Sequence, residues 1–265
     1  WVLVIEAVLS EYRPLPAASL GTVEAVRAAE TILPAMKELR EITSPVPDSA
    51  PDAPLIEAQD ISFGYHASVP ILNGLSFTIQ RGQHTAIIGE SGAGKTTLAS
   101  LLLRLWEVDG GMLSYRGAKH TELSPTATRT LFGAALQGSY LFSTSIRDNF
   151  LRLHEGITEG RMWEALETAQ LADVVRALPA GLDEELGANA ARLSGGQRSR
   201  LLTALALASN APILLLDEPT AGLDAERGER LIAAVLAELD ARGGTLIVIT
   251  HDLPLLDRMK QVIEL

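Results

Sequence analysis

A glycine-rich segment between residues 89 and 97 has the residue types that bind a chain of phosphates. Gly89, Gly94, Lys95 and Thr96 fit the spacing G-x-x-x-x-G-K-[ST]. Glycines allow backbone angles and close approaches that side chains block, so the loop amides and the positive end of a following helix can face an anion. An apolar, β-prone stretch precedes the segment and a helix-prone stretch follows it, a context that disfavours a chance glycine turn. The segment predicts binding of a nucleoside triphosphate.

We expect the whole of this loop to surround the phosphates of the nucleotide. Lys95 would reach the β- and γ-phosphates, and the Thr96 hydroxyl would ligate Mg²⁺. The residues predicted to contact the phosphates are Gly89, Glu90, Ser91, Gly92, Ala93, Gly94, Lys95, Thr96 and Thr97.

Two adjacent carboxylates, Asp217 and Glu218, follow a short apolar run at 213–216. The run predicts a buried strand, and open α/β sheets bind ligands at the carboxyl ends of their strands. Asp217 suits the coordination shell of Mg²⁺, which takes few carboxylates and keeps waters. Glu218 would face the attacking water as a base or as the group that orients it. The alternative is a solvated strand end with no chemical role.

A second glycine motif occupies residues 193–197 and precedes a predicted helix. Its Ser194, Gly195, Gly196 and Gln197 would present a hydroxyl and exposed amides to phosphate oxygens. One nucleotide needs only one such cradle, so the second motif suggests contact with a nucleotide held by another subunit. A plain helix cap at Ser194 is the alternative.

Composition excludes several classes of function. The 265 residues carry a formal net charge of −11, which argues against nucleic-acid binding because that affinity rests on basic surface. There is no cysteine, so disulfides and thiolate metal sites are excluded. No apolar run is long enough to span a bilayer. The chain lacks an initiator methionine, and we expect it to be a fragment or a processed product.

Three segments of different character follow one another along the chain. Residues 1–43 predict a helical extension, either a solvated amphipathic helix or the end of a membrane-domain helix. Residues 44–54 are rich in proline, serine and aspartate and predict a linker. From residue 55 to 265, short strands alternate with helices, which predicts an α/β fold with a mainly parallel sheet.

Within the third segment the predicted elements are short and regularly spaced. Strands are predicted at 56–63, 71–72, 75–79, 85–88, 112–115, 132–136, 213–216, 245–249 and 262–265. Helices are predicted at 98–105, 126–131, 225–241 and 253–259, and residues 145–208 are expected to be mostly helical.

Together with residues 221–224 and 250–252, these motifs resemble the nucleotide-binding domain of ATP-binding-cassette (ABC) proteins, and the resemblance covers about 55–265. It implies the P-loop NTPase fold: a parallel RecA-like core, an antiparallel β subdomain, and a helical subdomain at about 139–196. It further implies ATP and Mg²⁺ as cofactors. In this family two cassettes pair head to tail, and each signature motif faces the partner's ATP.

The resemblance also assigns roles to four residues outside the two glycine motifs. Tyr65 matches the aromatic residue that stacks on adenine, although the sequence alone leaves a core role equally open. Gln137 matches the glutamine that contacts Mg²⁺ and water and senses the membrane domain, and His251 the histidine that holds the γ-phosphate. Asp224 matches an aspartate that crosses the dimer interface. Lys95, Gln137, Glu218 and His251 are thus the expected catalytic residues.

The segment around Gln137 is similar to the exporter branch of the family. Residues 104–106 and 219–225 are most similar to the thiol-reductant exporter half-transporters of cytochrome bd assembly. That resemblance implies a membrane domain fused upstream, a homologous half-transporter as partner, no nucleic-acid partner, and a location at the cytoplasmic face of the inner membrane. Export of another substrate such as a lipid, peptide or drug remains open. So do a soluble or regulatory ABC ATPase and a truncated cassette that binds ATP without turnover.

Overall fold

The computed structural model describes residues 53–66, 69–154, 156–187 and 190–265. The predicted helical extension at 1–43 and nearly all of the predicted linker at 44–54 lie outside these ranges. Across the part of the chain that is described, no helix combines the length and apolarity that a bilayer crossing requires.

The described ranges contain nine strands and eight α-helices. The strands are β1 (Ile56–Phe63), β2 (Leu72–Ile79), β3 (Thr85–Ile88), β4 (Gly110–Tyr115), β5 (Ala118–Lys119), β6 (Phe132–Ala135), β7 (Ile213–Asp217), β8 (Thr245–Ile249) and β9 (Gln261–Glu264). The helices are α1 (Lys95–Leu102), α2 (Pro125–Arg129), α3 (Ile146–Leu153), α4 (Glu159–Thr168), α5 (Ala172–Arg176), α6 (Gly195–Ala208), α7 (Ala225–Ala241) and α8 (Leu253–Leu256).

The strands form two separate sheets of opposite type. Strands β2, β1, β4 and β5 pair in that order and are antiparallel throughout. Strands β6, β7, β8, β3 and β9 pair in that order and are all parallel. The predicted α/β class is therefore confirmed, with the antiparallel strands segregated from the parallel core.

The parallel sheet is the middle layer, and both of its faces are buried. On β7, Ile213 and Leu215 point into the core shared with the antiparallel sheet and α1. Leu214 and Leu216 point into the opposite core, shared with α4, α6 and α7. Successive side chains of a strand face opposite sides of a sheet, so a continuous apolar run is what a strand buried on both faces requires.

The register of the parallel strands aligns their carboxyl ends. Asp217 at the end of β7 pairs with Ile249 of β8, and Ile249 pairs with Ile87 of β3. On the other side of β7, Leu216 pairs with Ala135 of β6. The loops that follow β6, β7, β8 and β3 therefore leave the sheet along one edge.

Several predicted boundaries were wrong; the helix predicted at 98–105, for example, is α1, Lys95–Leu102. Two of the differences have a local reason. The strands predicted at 71–72 and 75–79 are one strand, β2, because Gly74 adopts a positive φ of 69° where the pairing with β1 changes register. The helix predicted at 253–259 ends at Leu256, and beyond it the backbone continues in tight turns, with Met259 N–H donating to the Leu256 carbonyl.

The contact between β6 and α6 yields a stability prediction. A Cβ added at Gly133 would lie 2.2 Å from the Ala206 carbonyl oxygen, so Gly133→Ala must force β6 and α6 apart. We expect a loss of about 1–3 kcal/mol in the free energy of unfolding, measured by urea denaturation. Gly160→Ala in α4 meets only Thr158 Oγ1, at 3.9 Å, and as a matched control should add up to about 1 kcal/mol. Equal stability of the two variants would contradict the packing described.

Candidate functional site

The loop between β3 and α1 is shaped so that its backbone faces the sheet edge. Gly94 immediately precedes α1 and has a left-handed φ of 99°, and no side chain caps the helix there. A Cβ at Gly94 would lie 2.9 Å from Ile71 Cγ2, and one at Gly89 would lie 2.8 Å from the Leu265 carbonyl oxygen. Both positions therefore require glycine. The uncapped amides at the start of α1 are suited to bind an anion.

Lys95 holds its ammonium group inside this loop. Its side chain is buried, and Nζ donates hydrogen bonds of 2.8 Å to the carbonyl oxygens of Gly89 and Glu90. A buried ammonium beside free helix amides creates a strongly positive site that matches a polyphosphate.

Asp217 lies beside the phosphate loop, as predicted. Burial raises the pKa of its carboxyl group, and the Gln137 N–H, the Lys95 charge and the Thr96 hydroxyl act in the opposite direction. The Gln137 backbone N–H donates to Asp217 Oδ2 at 3.3 Å, while the rest of Gln137 is exposed. A carboxylate and a hydroxyl side by side are the oxygen ligands that Mg²⁺ accepts from proteins. The donor set at Asp217 and Thr96 therefore fits this ion.

Glu218 has an unusual backbone and an unusual carboxylate. Its φ of 49° is left-handed, a conformation that costs energy for a residue with a side chain, and its N–H donates to the Ile249 carbonyl at 2.9 Å. Burial raises the pKa of its carboxyl group. Among the described residues, Oε1 is buried without a hydrogen-bond partner, and His251 Nε2 lies 3.6 Å from it. The strained backbone thus directs a poorly solvated carboxylate toward the sheet edge.

The second glycine motif forms the predicted helix cap. Ser194 Oγ accepts from the Gln197 N–H at 3.3 Å, and Gln197 Oε1 accepts from the Ser194 N–H at 2.9 Å. A Cβ at Gly196 would lie 3.2 Å from the Gly222 carbonyl oxygen, so the segment at 221–224 packs on the start of α6. Asp224 caps α7 by accepting from the Arg227 N–H at 2.9 Å. Contact with a partner's nucleotide stays a prediction for this motif.

Tyr65 is not a core residue, because 44% of it is exposed. Its hydroxyl lies 3.4 Å from Thr97 Oγ1 on α1. The rings of Phe63 and Trp106 contact it edge to face, with centroid distances of 5.2 and 5.4 Å. The sequence pattern indicates Tyr65 but not the two rings around it, for which a tryptophan shortly after α1 is the only signal.

The structure thus brings the predicted phosphate loop, Asp217, Glu218, His251 and the Gln137 backbone to one edge of the parallel sheet, while Tyr65 lies beside α1. Comparison with known proteins identifies the family, since residues 72–221 match the family model described as ABC transporter. The chain belongs to the ABC transporter family. It contains an ATP-binding domain of the ATPase class, with the P-loop NTPase fold of ABC cassettes.

Curated and structural relatives cover most of the chain. It is 39% identical over 78% of its length to the ATP-dependent lipid A-core flippase of Saccharophagus degradans, and 35% identical over 92% to the mycobactin import ATP-binding/permease protein IrtB of Mycolicibacterium smegmatis. A bacterial Atm1-family ABC exporter with ATP bound matches 92% of the chain with a TM-score of 0.77 and 30% identity. The chain spans 35%, 41% and 43% of these three proteins, respectively.

The buried carboxylate of Glu218 makes the stability of the nucleotide-free protein depend on pH. Because its pKa is higher in the folded than in the unfolded chain, the folded state binds more protons between the two values and loses stability as pH rises through that window. Glu218→Gln removes this cost. We expect the variant to melt at a higher temperature than wild type near neutral pH, with the gap closing as the pH is lowered.

Glu229→Gln makes the same change of charge at an exposed position of α7 and serves as the control. It should follow wild type at every pH in thermal melts. A gap for Glu218→Gln that widens on acidification would contradict the assignment of a desolvated carboxylate.

Proposed function

We propose that this cassette hydrolyses Mg·ATP to drive a membrane transporter of the exporter type. The convergence of Lys95, Asp217 and Glu218 at one sheet edge is the observation that carries the proposal. Burial raises the pKa of both carboxyl groups and the Lys95 charge partly opposes this in each, so the three side chains lie within electrostatic reach of one another. A cation, a metal-binding carboxylate and a candidate base are the parts that phosphoryl transfer to water requires.

Each of these side chains has a distinct role in the proposed reaction. The phosphate loop binds the triphosphate through Gly89, Glu90, Ser91, Gly92, Ala93, Gly94, Lys95, Thr96 and Thr97. Asp217 and Thr96 would hold Mg²⁺ together with Gln137, and bound Mg²⁺ would neutralise phosphate charge. Lys95 stabilises charge that spreads over the terminal phosphate oxygens. These groups fix the triphosphate in place before any bond is broken.

Glu218 orients the attacking water and accepts its proton. Its Oε1 is buried and accepts no hydrogen bond from the described residues, so this carboxylate oxygen is not committed to a protein donor. His251, with its Nε2 3.6 Å from that oxygen, supports the carboxylate and contacts the γ-phosphate. A carboxylate in a partly desolvated position is a stronger base than one in water, because burial raises its pKa.

We further propose that the cassette works as one half of a head-to-tail pair. Ser194, Gly195, Gly196 and Gln197 contact the ATP of the partner cassette, together with Asp224. Gly195 is exposed at the start of α6, with no atom within 4 Å of the position of an added Cβ, which leaves room for an anion from outside. The proposed partner is a homologous half-transporter.

The proposed route of coupling runs through the loop after Gln137. Exposed apolar side chains follow it, with Tyr140 38% exposed and Leu151 and Leu153 of α3 46% and 37% exposed. We propose that this surface contacts a membrane domain fused upstream. That membrane domain would end in residues 1–43, and residues 44–54 would be the linker. Residues 55–265 would form the cassette, with its helical subdomain at about 139–196. The cassette would then lie at the cytoplasmic face of the inner membrane.

For the cargo, we propose thiol reductants for cytochrome bd assembly, on the resemblance at residues 104–106 and 219–225. The relatives named above carry lipid A-core and mycobactin in their names, at similar identity to this chain. Cargo therefore varies among cassettes this similar, and transport assays with the full-length protein are needed to test it.

Replacing Glu218 tests the proposed chemistry. Glu218→Gln keeps the size of the side chain and removes the base, so it should lower ATP turnover by at least about 100-fold, the lower end of the range for one general base. The affinity for Mg·ATP should stay within about threefold of wild type, because the phosphate loop is intact. Phosphate release and equilibrium binding measure the two quantities. Glu229→Gln should retain full turnover, and normal turnover in Glu218→Gln would defeat the assigned role.

A charge placed in the second glycine motif tests the head-to-tail arrangement. Gly195→Asp adds a negative charge at the start of α6, where the helix dipole favours it and where the side chain has space. The same charge would repel a triphosphate. In the Glu218→Gln background we expect ATP-dependent association with a partner cassette to be lost in sedimentation velocity. The Mg·ATP affinity of the isolated chain should be unchanged.

The control is Ala191→Asp, which adds the same charge at an exposed position of the same loop outside the motif. It should keep ATP-dependent association. A Gly195→Asp chain whose own ATP affinity fell at low protein concentration would show that the motif contacts the nucleotide of its own chain.

A further inference from the structure

Trp106 has an exposed indole beside Tyr65, the residue proposed to stack on adenine. It has no role in the proposed hydrolysis. It is 42% exposed, although it follows the buried helix α1 by only a few residues. Tyr65, Val69, Leu105 and Trp106 are all large apolar residues with more than a third of their surface exposed, and they come from two neighbouring loops. Clustered exposed apolar residues generally mark a binding surface rather than a random feature of the exterior.

Three aromatic rings hold one another at this surface. The Tyr65 and Trp106 rings are nearly perpendicular, at 82° with centroids 5.4 Å apart, and the Phe63 and Tyr65 rings meet at 85° and 5.2 Å. Phe63 and Trp106 complete the triangle at 6.1 Å. Edge-to-face pairs of this kind are attractive because the positive ring edge meets the negative ring face. Tyr65 is therefore fixed by rings from two directions.

The loop that carries Trp106 is itself anchored. Arg104 adopts a left-handed φ of 50°, its side chain is nearly buried, and it binds Glu107 and the Leu123 carbonyl. Asp109 then ties this loop to the one that carries Tyr65. Its Oδ2 accepts from the Gly64 N–H at 2.9 Å, and its N–H donates to the Ser62 carbonyl at 2.9 Å.

We propose that Trp106 is a positioning residue for recognition of the nucleotide base, acting through Tyr65. This inference rests on the proposed function, in which Tyr65 stacks on adenine. Tyr65 is held at its tip by Thr97 and at its ring by Phe63 and Trp106. Trp106 thus reduces the number of orientations that the tyrosine ring can adopt before the base arrives, and so lowers the entropic cost of stacking. The phosphates, bound by the loop at 89–97, do not depend on it.

The test compares two ligands that differ by the nucleoside. Isothermal titration calorimetry of the 265-residue chain with ATP and with inorganic tripolyphosphate, both with Mg²⁺, separates base recognition from phosphate binding. We expect Trp106→Ala to weaken ATP binding by about three- to tenfold, the usual range for an aromatic pair, and to leave tripolyphosphate binding unchanged. Trp106→Phe, which keeps a ring at this position, should restore most of the ATP affinity.

Two further variants complete the design. In a Tyr65→Ala background, Trp106→Ala should cause no additional loss, because a residue that acts through Tyr65 has nothing left to position. Trp163→Ala, at the other described tryptophan, in α4 against Arg176, is the matched control and should bind both ligands as wild type does.

Each of the remaining outcomes overturns a specific part of the account. An equal loss of ATP and tripolyphosphate affinity in Trp106→Ala would mean general damage to the site and would overturn the positioning role. Normal ATP affinity in Trp106→Ala beside a loss in Tyr65→Ala would overturn the inference and leave the adenine site standing. Normal ATP affinity in Tyr65→Ala would overturn the adenine site and this inference with it.

Discussion

The parallel register of β6, β7, β8 and β3 is the constraint on which the site depends. Because Ile87, Ile249 and Asp217 are paired across three strands, the loops that follow those strands start at the same height above the sheet. Neighbouring strands are about 4.8 Å apart, so residues that are more than a hundred positions apart in sequence are brought within a few side-chain lengths. Both faces of the sheet pack against buried cores, and a slip by one residue would exchange the side chains that are fitted into each of them.

At that edge, the site combines groups that are costly for the fold to keep. Lys95 is buried, and its ammonium donates hydrogen bonds to two loop carbonyls. Glu218 adopts a left-handed backbone conformation, and its carboxylate is partly desolvated. Each feature opposes stability when considered alone. Their cost is tolerable because the sheet beneath them is buried on both faces. Such departures from local preference are expected where a protein binds a ligand or performs chemistry.

Much of this arrangement could be predicted from local sequence. The apolar run at 213–216 and the glycine spacing at 89–96 identify a buried strand and a phosphate loop, because each pattern has few structural solutions. The alternative of a plain cap at Ser194 was also correct as far as the single chain goes, since its hydroxyl accepts from the Gln197 N–H. The antiparallel sheet was predicted only from the family resemblance, because short strands do not reveal their partners.

Other features depend on contacts between distant segments and could not be predicted. Whether Tyr65 was buried or exposed depended on how its loop meets the one that carries Trp106, which no local pattern encodes. The left-handed φ of Glu218 accompanies a hydrogen bond from its N–H to the Ile249 carbonyl on the next strand. The merging of two short apolar stretches into β2 required the bulge at Gly74. In each case contacts between distant segments determine a feature that local sequence preferences do not.

The most direct measurement of the central claim is equilibrium binding of Mg·ATP to the chain and to its Lys95→Met variant. The variant keeps the apolar stem of the side chain and removes only the ammonium, and far-ultraviolet circular dichroism would verify that it is folded. We expect one saturable site per chain, weakened at least about 30-fold in the variant, as for the loss of a buried charged contact. Equal affinity in the two proteins, or no binding in either, would contradict the central claim.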